Sequence, residues 1–174
     1  EPESSEALNF GFRCGFLGLL HMDITQERIE REFGVEVVAT APHVVYHVLT
    51  KKGEILEVRS PRDFPFPSEI EEMEEPYVEM SITLPTEYLG GVMDLCQSRR
   101  GIFKDMVYLS EHLVLLRYDL PLAEILLDFY DRLKAVSRGY ASFEYDFVGY
   151  RPAKLVRVDI LVNREIVDGL SFIS

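Results

Sequence analysis

The apolar and polar positions of this chain change period several times, and each change marks an element. Phe10, Phe12, Cys14 and Phe16 alternate with Gly11, Arg13 and Gly15, which predicts a strand with one aromatic face. From Leu19 the period lengthens. Leu19, Met22, Ile29 and Phe33 fall on one helical stripe, with Glu27, Arg28, Glu30, Arg31 and Glu32 mostly on the water side. Gly34 stands where a helix C′ residue is expected. Val35, Val37 and Ala39 then alternate with Glu36, Val38 and Thr40, and the stretch 43–49 is again strand-like. The pattern is strand–helix–strand with its opening half missing.

Residues 51–76 differ in character. Lys51-Lys52-Gly53-Glu54 reads as a turn, and Pro61, Pro65 and Pro67 argue against regular structure. Glu69, Glu71, Glu72, Glu74 and Glu75 form an acidic run that ends at Pro76. The segment is expected to be a linker or exposed excursion with a solvated acidic surface.

The clearest organisation lies between Tyr77 and Tyr150. Val78, Met80, Ile82 and Leu84 predict a half-buried strand, and Pro85-Thr86-Glu87 opens a helix with the stripe Leu89, Val92, Met93 and Cys96, closed by Gly101. Gly90-Gly91 costs that helix about 1 kcal/mol per glycine, which close packing against the sheet would offset. Strands are expected at 102–109 and 113–120, with Ser110-Glu111-His112 as the hairpin turn. Pro121 starts a second helix whose stripe is Leu122, Ile125, Leu126, Phe129, Leu133 and Val136, closed by Gly139. Ala141, Phe143, Tyr145 and Phe147 alternate in a last strand. Right-handed crossovers place both helices on one face of the sheet. The predicted class is α+β, built from ferredoxin-like split β-α-β sandwich units, one complete and one partial. The expected division is 1–50, a partial unit; 51–76, the linker; 77–152, the complete unit; and 153–174, the start of a further element with a turn at Asn163-Arg164.

Composition narrows the function. With 174 residues and 47% hydrophobic positions, the chain can build one ordinary core or two small ones. A formal charge of −12 repels phosphate, so DNA is not an expected partner and tight RNA binding by this stretch alone is disfavoured. Cys14 and Cys96 match no zinc or disulfide spacing, and reduced cytoplasmic thiols are the default. The chain begins at Glu1, without Met and inside a pattern, and is expected to be a portion of something larger.

No catalytic, cofactor-binding or metal-binding residue is expected. Gly11, Gly15 and Gly18 lack the Lys-Ser or Lys-Thr of a phosphate loop. His21 lacks the converging partners of a metal ligand, and Cys96 lies on an apolar stripe. The cations draw more interest. Arg99 and Arg100 end one helix, and Lys134 and Arg138 end the other. They suit the helix dipoles, or together form a basic rim facing an anionic partner if both ends point one way. The stretch 138–145 partly matches the RNP1 pattern of RNA-recognition modules, but on the fourth strand of the unit and not the third.

A family resemblance adds to this reading. Gly11-Phe12-Arg13-Cys14-Gly15-Phe16-Leu17-Gly18-Leu19-Leu20-His21-Met22 and the helix from Gln26 to Glu32 closely resemble the elongation factor 4 (LepA) family of translational GTPases. So do Glu75-Pro76-Tyr77-Val78, Leu95-Cys96-Gln97-Ser98-Arg99-Arg100-Gly101, Tyr118-Asp119-Leu120-Pro121-Leu122-Ala123-Glu124-Ile125 and Gly139-Tyr140-Ala141-Ser142-Phe143-Glu144-Tyr145. The resemblance implies that residues 1–50 are the later part of the third domain, that 77–150 equal the fifth domain of elongation factor G, and that 155–174 open the family's C-terminal domain. It implies a ribosome-binding, non-catalytic portion of a GTP hydrolase acting in translation elongation, in reverse translocation or fidelity. GTP and Mg would bind in a domain outside these residues. The implied partners are the ribosome, through rRNA and ribosomal proteins, and the GTPase domain of the same chain. The implied location is the cytoplasm, with peripheral association of the parent at the inner face of the cell membrane, although no amphipathic anchor is visible here. Arg13 and His21 are candidates for an interface with the small subunit or the GTPase domain; Arg99, Arg100, Lys134 and Arg138 are candidates for contact with rRNA or the large-subunit stalk base. The competing readings are a free-standing ferredoxin-like regulatory module and an RNA-recognition module.

Overall fold

The computed structural model describes residues 2–5, 9–12, 14–16, 19–39, 44–126, 128–166 and 171–174. The chain divides into two compact units, one formed by 1–41 with 157–173 and the other by 42–156 with Ser174.

In the first unit, β1 (Pro2–Ser5) pairs antiparallel with β2 (Asn9–Phe12). The expected strand to Phe16 stops at Phe12, and Cys14–Phe16 are irregular. Helix α1 (Leu19–Phe33) follows and closes as expected, with Gly34 at φ +67° donating its amide to the Glu30 carbonyl at 2.9 Å. The strand expected over 35–39 is absent there. The Val37 carbonyl instead accepts from the Gln26 side chain at 3.2 Å, which ties the segment to the helix.

The second unit holds the main sheet. Strands β3 (Tyr46–Thr50) and β4 (Ile55–Val58) form a hairpin around Lys51–Gly53. Gly53 adopts φ +83° in that turn and donates to the Thr50 carbonyl at 2.8 Å. Two 3₁₀ turns, Pro61–Asp63 and Pro67–Glu69, each begin on a proline, where the missing N–H leaves no intrahelical bond unmade. Strand β5 (Ile70–Pro85) then runs for 16 residues. The expected linker at 51–76 is therefore part of the folded unit. The acidic run was misleading because a strand needs only its backbone groups paired. β3 pairs with β5 over 70–74 while Glu71 and Glu72 remain in water.

Helix α2 (Leu89–Ser98), β6 (Ile102–Tyr108), β7 (Leu113–Pro121), α3 (Phe129–Val136) and β8 (Ser142–Pro152) complete the βαββαβ order. β5 pairs with β7 on one edge and β8 on the other, and β6 adds outside β7, all antiparallel. This is the ferredoxin-like strand order. Val78, Met80, Ile82 and Leu84 of β5 pack with Val114, Leu116, Tyr118 and Leu120 of β7. Val92, Leu95 and Cys96 of α2 and Phe129 and Leu133 of α3 join the same cluster, so both helices cover one face, as expected.

The second helix is shorter than its stripe. Leu122–Glu124 form a 3₁₀ turn closed by the Ile125 amide on the Leu122 carbonyl at 3.2 Å, and α3 starts only after Asp128. Leu122 and Ile125 still pack on the core, so the apolar spacing reported burial without helix. Gly91 faces α3, not the sheet: a Cβ there would stand 3.8 Å from the Val136 Cβ, whereas one at Gly90 would meet open space.

Beyond β8, β9 (Arg157–Val158), β10 (Leu161–Val162), β11 (Glu165–Ile166) and β12 (Phe172–Ile173) belong to the first unit. β10 and β11 form the expected hairpin, with Asn163 and Arg164 both at positive φ, 52° and 71°, the conformation of a type I′ turn. β9 pairs with β12.

Gly101 fixes how α2 joins β6. A Cβ at this position would stand 2.5 Å from the Cys96 carbonyl oxygen and 3.0 Å from Leu120 and Tyr118 side-chain atoms. The oxygen belongs to backbone and cannot step aside. Gly101→Ala is expected to destabilise the chain by about 2–3 kcal/mol, read as a lower urea midpoint at unchanged slope.

Candidate functional site

The two helices run in opposite directions, because α2 follows an up strand and α3 a down strand. The end of α2 therefore meets the start of α3, and the end of α3 meets the start of α2. The expected single basic rim does not form: its cations lie at opposite ends of the layer.

At the first junction Arg99 and Arg100 enter a charge chain. Arg100 donates from Nη1 and Nη2 to the two carboxylate oxygens of Glu75, at 2.7 and 3.0 Å, and from Nε to Glu124 at 3.0 Å. Arg99 donates to Asp128 at 2.6 Å and lies 3.7 Å from Glu124. Asp128 also accepts from Arg132 at 2.6 Å. The Arg132 guanidinium, with Arg99 behind it, holds the Asp128 carboxyl below the usual carboxylate range. Glu75 is only 2% exposed, and Arg100 answers it with the strongest geometry available to a carboxylate. Burial, then the nearby Glu75, push the Tyr46 phenol up to about 12.

Arg100 adopts φ +57° and Arg138 φ +51°, a region where non-glycine residues are uncommon. Each precedes a glycine, Gly101 or Gly139. The side chains then fare differently. Lys134, one turn earlier, is used internally: its Nζ donates to the carbonyls of Ala141 at 2.5 Å and Gly139 at 3.4 Å and lies 5.4 Å from the Tyr130 ring centre. The Arg138 side chain is exposed and makes no hydrogen bond or ion pair among the described residues, its backbone amide alone donating to the Ala135 carbonyl at 3.4 Å. It lines an open recess of about 430 Å³ with Pro85, Glu87, Tyr88 and Tyr140. The rings of Tyr88 and Tyr140 lie 6.1 Å apart and 9° from parallel.

Of the remaining candidates, Arg13 lies outside the described residues. His21 sits on the exposed side of α1, its ring edge-on to Phe16 at 5.7 Å, and shares a shallow surface with Ile24, Thr25 and Arg28. The structure brings Arg99 and Arg100 together and leaves Lys134 and Arg138 out of that cluster. Glu75, Glu124 and Asp128, which complete it, were missed in the sequence. Glu75 was hidden in an acidic run; the other two carried no signal until α2 and α3 were known to meet end to end.

The helix-free face of the sheet does not offer the stacking surface of an RNA-recognition module. Register sets Glu79 beside Asp119 and Ser81 beside Arg117 on that face. Phe143, Tyr145 and Phe147 stand opposite Ile82, Met80 and Val78, on the helix side. The RNP1-like reading fails because the fourth strand presents its aromatics to the wrong layer.

A sheet of this order, helix-backed on one face and charged on the other, defines a domain of the ferredoxin-like class. The family described as "Elongation factor G C-terminus" matches residues 72–161, just over half of the chain, and the chain belongs to that family. It is 60% identical over 173 residues to elongation factor 4 of Desulforudis audaxviator and to that of Anoxybacillus flavithermus, and 57% identical to that of Lactococcus lactis. Each alignment takes in 99% of this chain but only 28–29% of the relative, so the chain spans under a third of these proteins. A solved structure from Thermus thermophilus overlays 47% of this chain and 12% of its own, at 27% identity and a TM-score of 0.44.

Two outcomes test the charge chain. Arg100→Met should destabilise the chain by about 2–3 kcal/mol, because it leaves the Glu75 carboxylate buried without a cation. Adding Glu75→Gln should recover most of that loss in a urea double-mutant cycle. The second concerns pH. An unfolded phenol ionises near 10.0 and Tyr46 in the fold near 12. The folded state thus holds the proton more tightly, and the phenol's contribution is complete below about pH 10 and lost as pH rises to about 12. Tyr46→Phe should flatten this part of the urea-midpoint profile.

Proposed function

We propose that this chain is a ribosome-binding, non-catalytic portion of a translational GTPase similar to elongation factor 4, acting in elongation. The observation that carries the reading is identity of about 60% to elongation factor 4 relatives along 99% of the chain. The fold supports it. A six-stranded sheet backed by two helices makes a rigid spacer, and no loop in this chain has the spacing of a nucleotide phosphate loop. GTP and Mg²⁺ would bind in another domain of the parent.

In this reading the unit containing 77–152 is the fifth-domain equivalent, residues 1–50 come from the third domain, and 155–174 open the family's C-terminal domain. The partners are rRNA and ribosomal proteins, in the cytoplasm, together with the GTPase domain of the same chain. No described helix is long and apolar enough to cross a bilayer. Peripheral membrane association of the parent is carried by the resemblance alone. Arg99 and Arg100 are engaged inside the fold, so reversing their charge would act first through stability. Arg138 is the better candidate for an external anion.

The test is cosedimentation. The full-length parent should pellet with ribosomes in the presence of a non-hydrolysable GTP analogue, and the 174-residue chain should hydrolyse no GTP above buffer. A parent that stays in the supernatant at low salt would remove the reading.

A further inference from the structure

We infer that the outer edge of β8, over residues 142–147, takes up an extended segment of a basic ribosomal protein as an added strand. This rests on the ribosome-binding reading above.

Among the described residues β8 pairs only with β5, so its other row of backbone N–H and C=O groups has no strand beside it. Such a row is a template for a further strand, and folded proteins usually blunt it with a cation, a proline or a bulge. Here the bulge comes late. The register with β5 shifts where Tyr77 and Val78 face Gly149 and Phe147, and Gly149 turns to φ +109°. Before that point residues 142–147 run in unbroken register and contain neither proline nor cation.

The two faces of this stretch have opposite characters. Phe143, Tyr145 and Phe147 lie on the helix side. Phe143 packs on the core, but Tyr145 is 48% and Phe147 60% exposed. The Phe143 and Tyr145 rings stand 6.3 Å apart and 17° from parallel, and Tyr130 of α3 extends the row at 5.9 Å from Phe143. Glu144 and Asp146 occupy the other face, exposed and without an ion pair among the described residues. That sets them apart from Glu79, Asp105 and Asp119 of the same face, each of which is answered by a cation of the sheet. Asp146 even stands opposite Glu79 in register, so its charge is left for something outside the chain.

These features select the occupant. An open backbone row takes an extended chain. A strand laid along it turns its side chains alternately to the two faces, so one set meets aromatic rings and the other meets carboxylates. The matching sequence alternates apolar residues with Lys or Arg. RNA has no backbone row to pair, and two unanswered carboxylates repel its phosphates. A second copy fails as well. Antiparallel pairing of two β8 edges centred on 144, 145 or 146 sets acid against acid, and like charges directly opposite destabilise a sheet. Among the components of a ribosome, the proteins that lie along its RNA carry the Lys- and Arg-rich segments that this edge needs.

The experiment uses the full-length parent pelleted with ribosomes and a non-hydrolysable GTP analogue. Glu144→Gln combined with Asp146→Asn should weaken binding about threefold to tenfold. The urea midpoint of that variant should stay at the wild-type value, because neither acid is paired inside the fold. Phe147→Ser should weaken binding to a similar degree, while Phe147→Leu keeps it. A photo-crosslinker in place of Tyr145 should label a ribosomal protein, within a segment that alternates apolar and basic residues. Unchanged binding by the doubly neutralised variant, or the tighter binding expected of an edge that faces RNA, would overturn the inference. So would crosslinks to rRNA or to the parent's own chain alone, or no crosslink at all. Each of these results leaves ribosome binding intact. Failure of the unaltered parent to pellet would remove the ribosome reading, and this inference with it.

Discussion

A carboxylate withdrawn from water needs a cation, and Glu75 stands in the strand from which the main sheet is hung. β5 pairs with β3, β7 and β8, so whatever settles β5 settles the unit. Arg100 neutralises Glu75 through two hydrogen bonds, and in doing so fixes the end of α2 against the sheet. Glu124 and Arg99 extend the tie to the turn after β7, and Asp128 carries it to the start of α3. One buried acid thus anchors a charge chain that joins the end of α2 to the start of α3. The left-handed backbone at Arg100, a strain of about 1 kcal/mol, is offset by a guanidinium that reaches both acids.

The legible part of the fold was the part decided by local chemistry. Period-two runs found β5, β7 and β8; Gly34, Gly101 and Gly139 marked helix ends where backbone approaches backbone or turns left-handed; and Asn163-Arg164 marked a two-residue hairpin. Misreadings arose where tertiary pairing overrode composition. The acidic run at 69–75 reads as linker because side-chain charge says little about backbone pairing: β3 and β8 supply the hydrogen bonds and only Glu75 leaves the solvent. The stripe from Leu122 to Val136 looked like one helix because a 3₁₀ turn and a helix can bury the same spacing.

The candidate site was less visible than the fold, for a geometric reason. Two helix ends rich in cations look equivalent in sequence. Which of them is free depends on which acids the antiparallel helices bring alongside, and that requires the topology. Arg99 and Arg100 acquire Glu124 and Asp128 because the start of α3 lies there, and Arg100 reaches Glu75 of β5; Arg138, with Tyr140 two residues on, meets Tyr88 because the start of α2 lies there. The same residue type in the same backbone conformation becomes internal mortar at one end and an outward-facing group at the other.

Net charge points the same way. A surface this acidic repels polyanions at a distance, so a nucleic-acid partner can be met only where cations stand unscreened by neighbouring acids. Asp119 shows the more common outcome: almost fully buried, it is held by Arg151 and by Lys104 at 3.6 Å, and those cations are spent within the sheet. Lys104 also reaches Glu79, and Arg117 reaches Asp105 at 3.0 Å, so the helix-free face is closed off by its own ion pairs. Pairing Lys104, Arg117 and Arg151 inside the sheet is the electrostatic arrangement that keeps this face from attracting a polyanion.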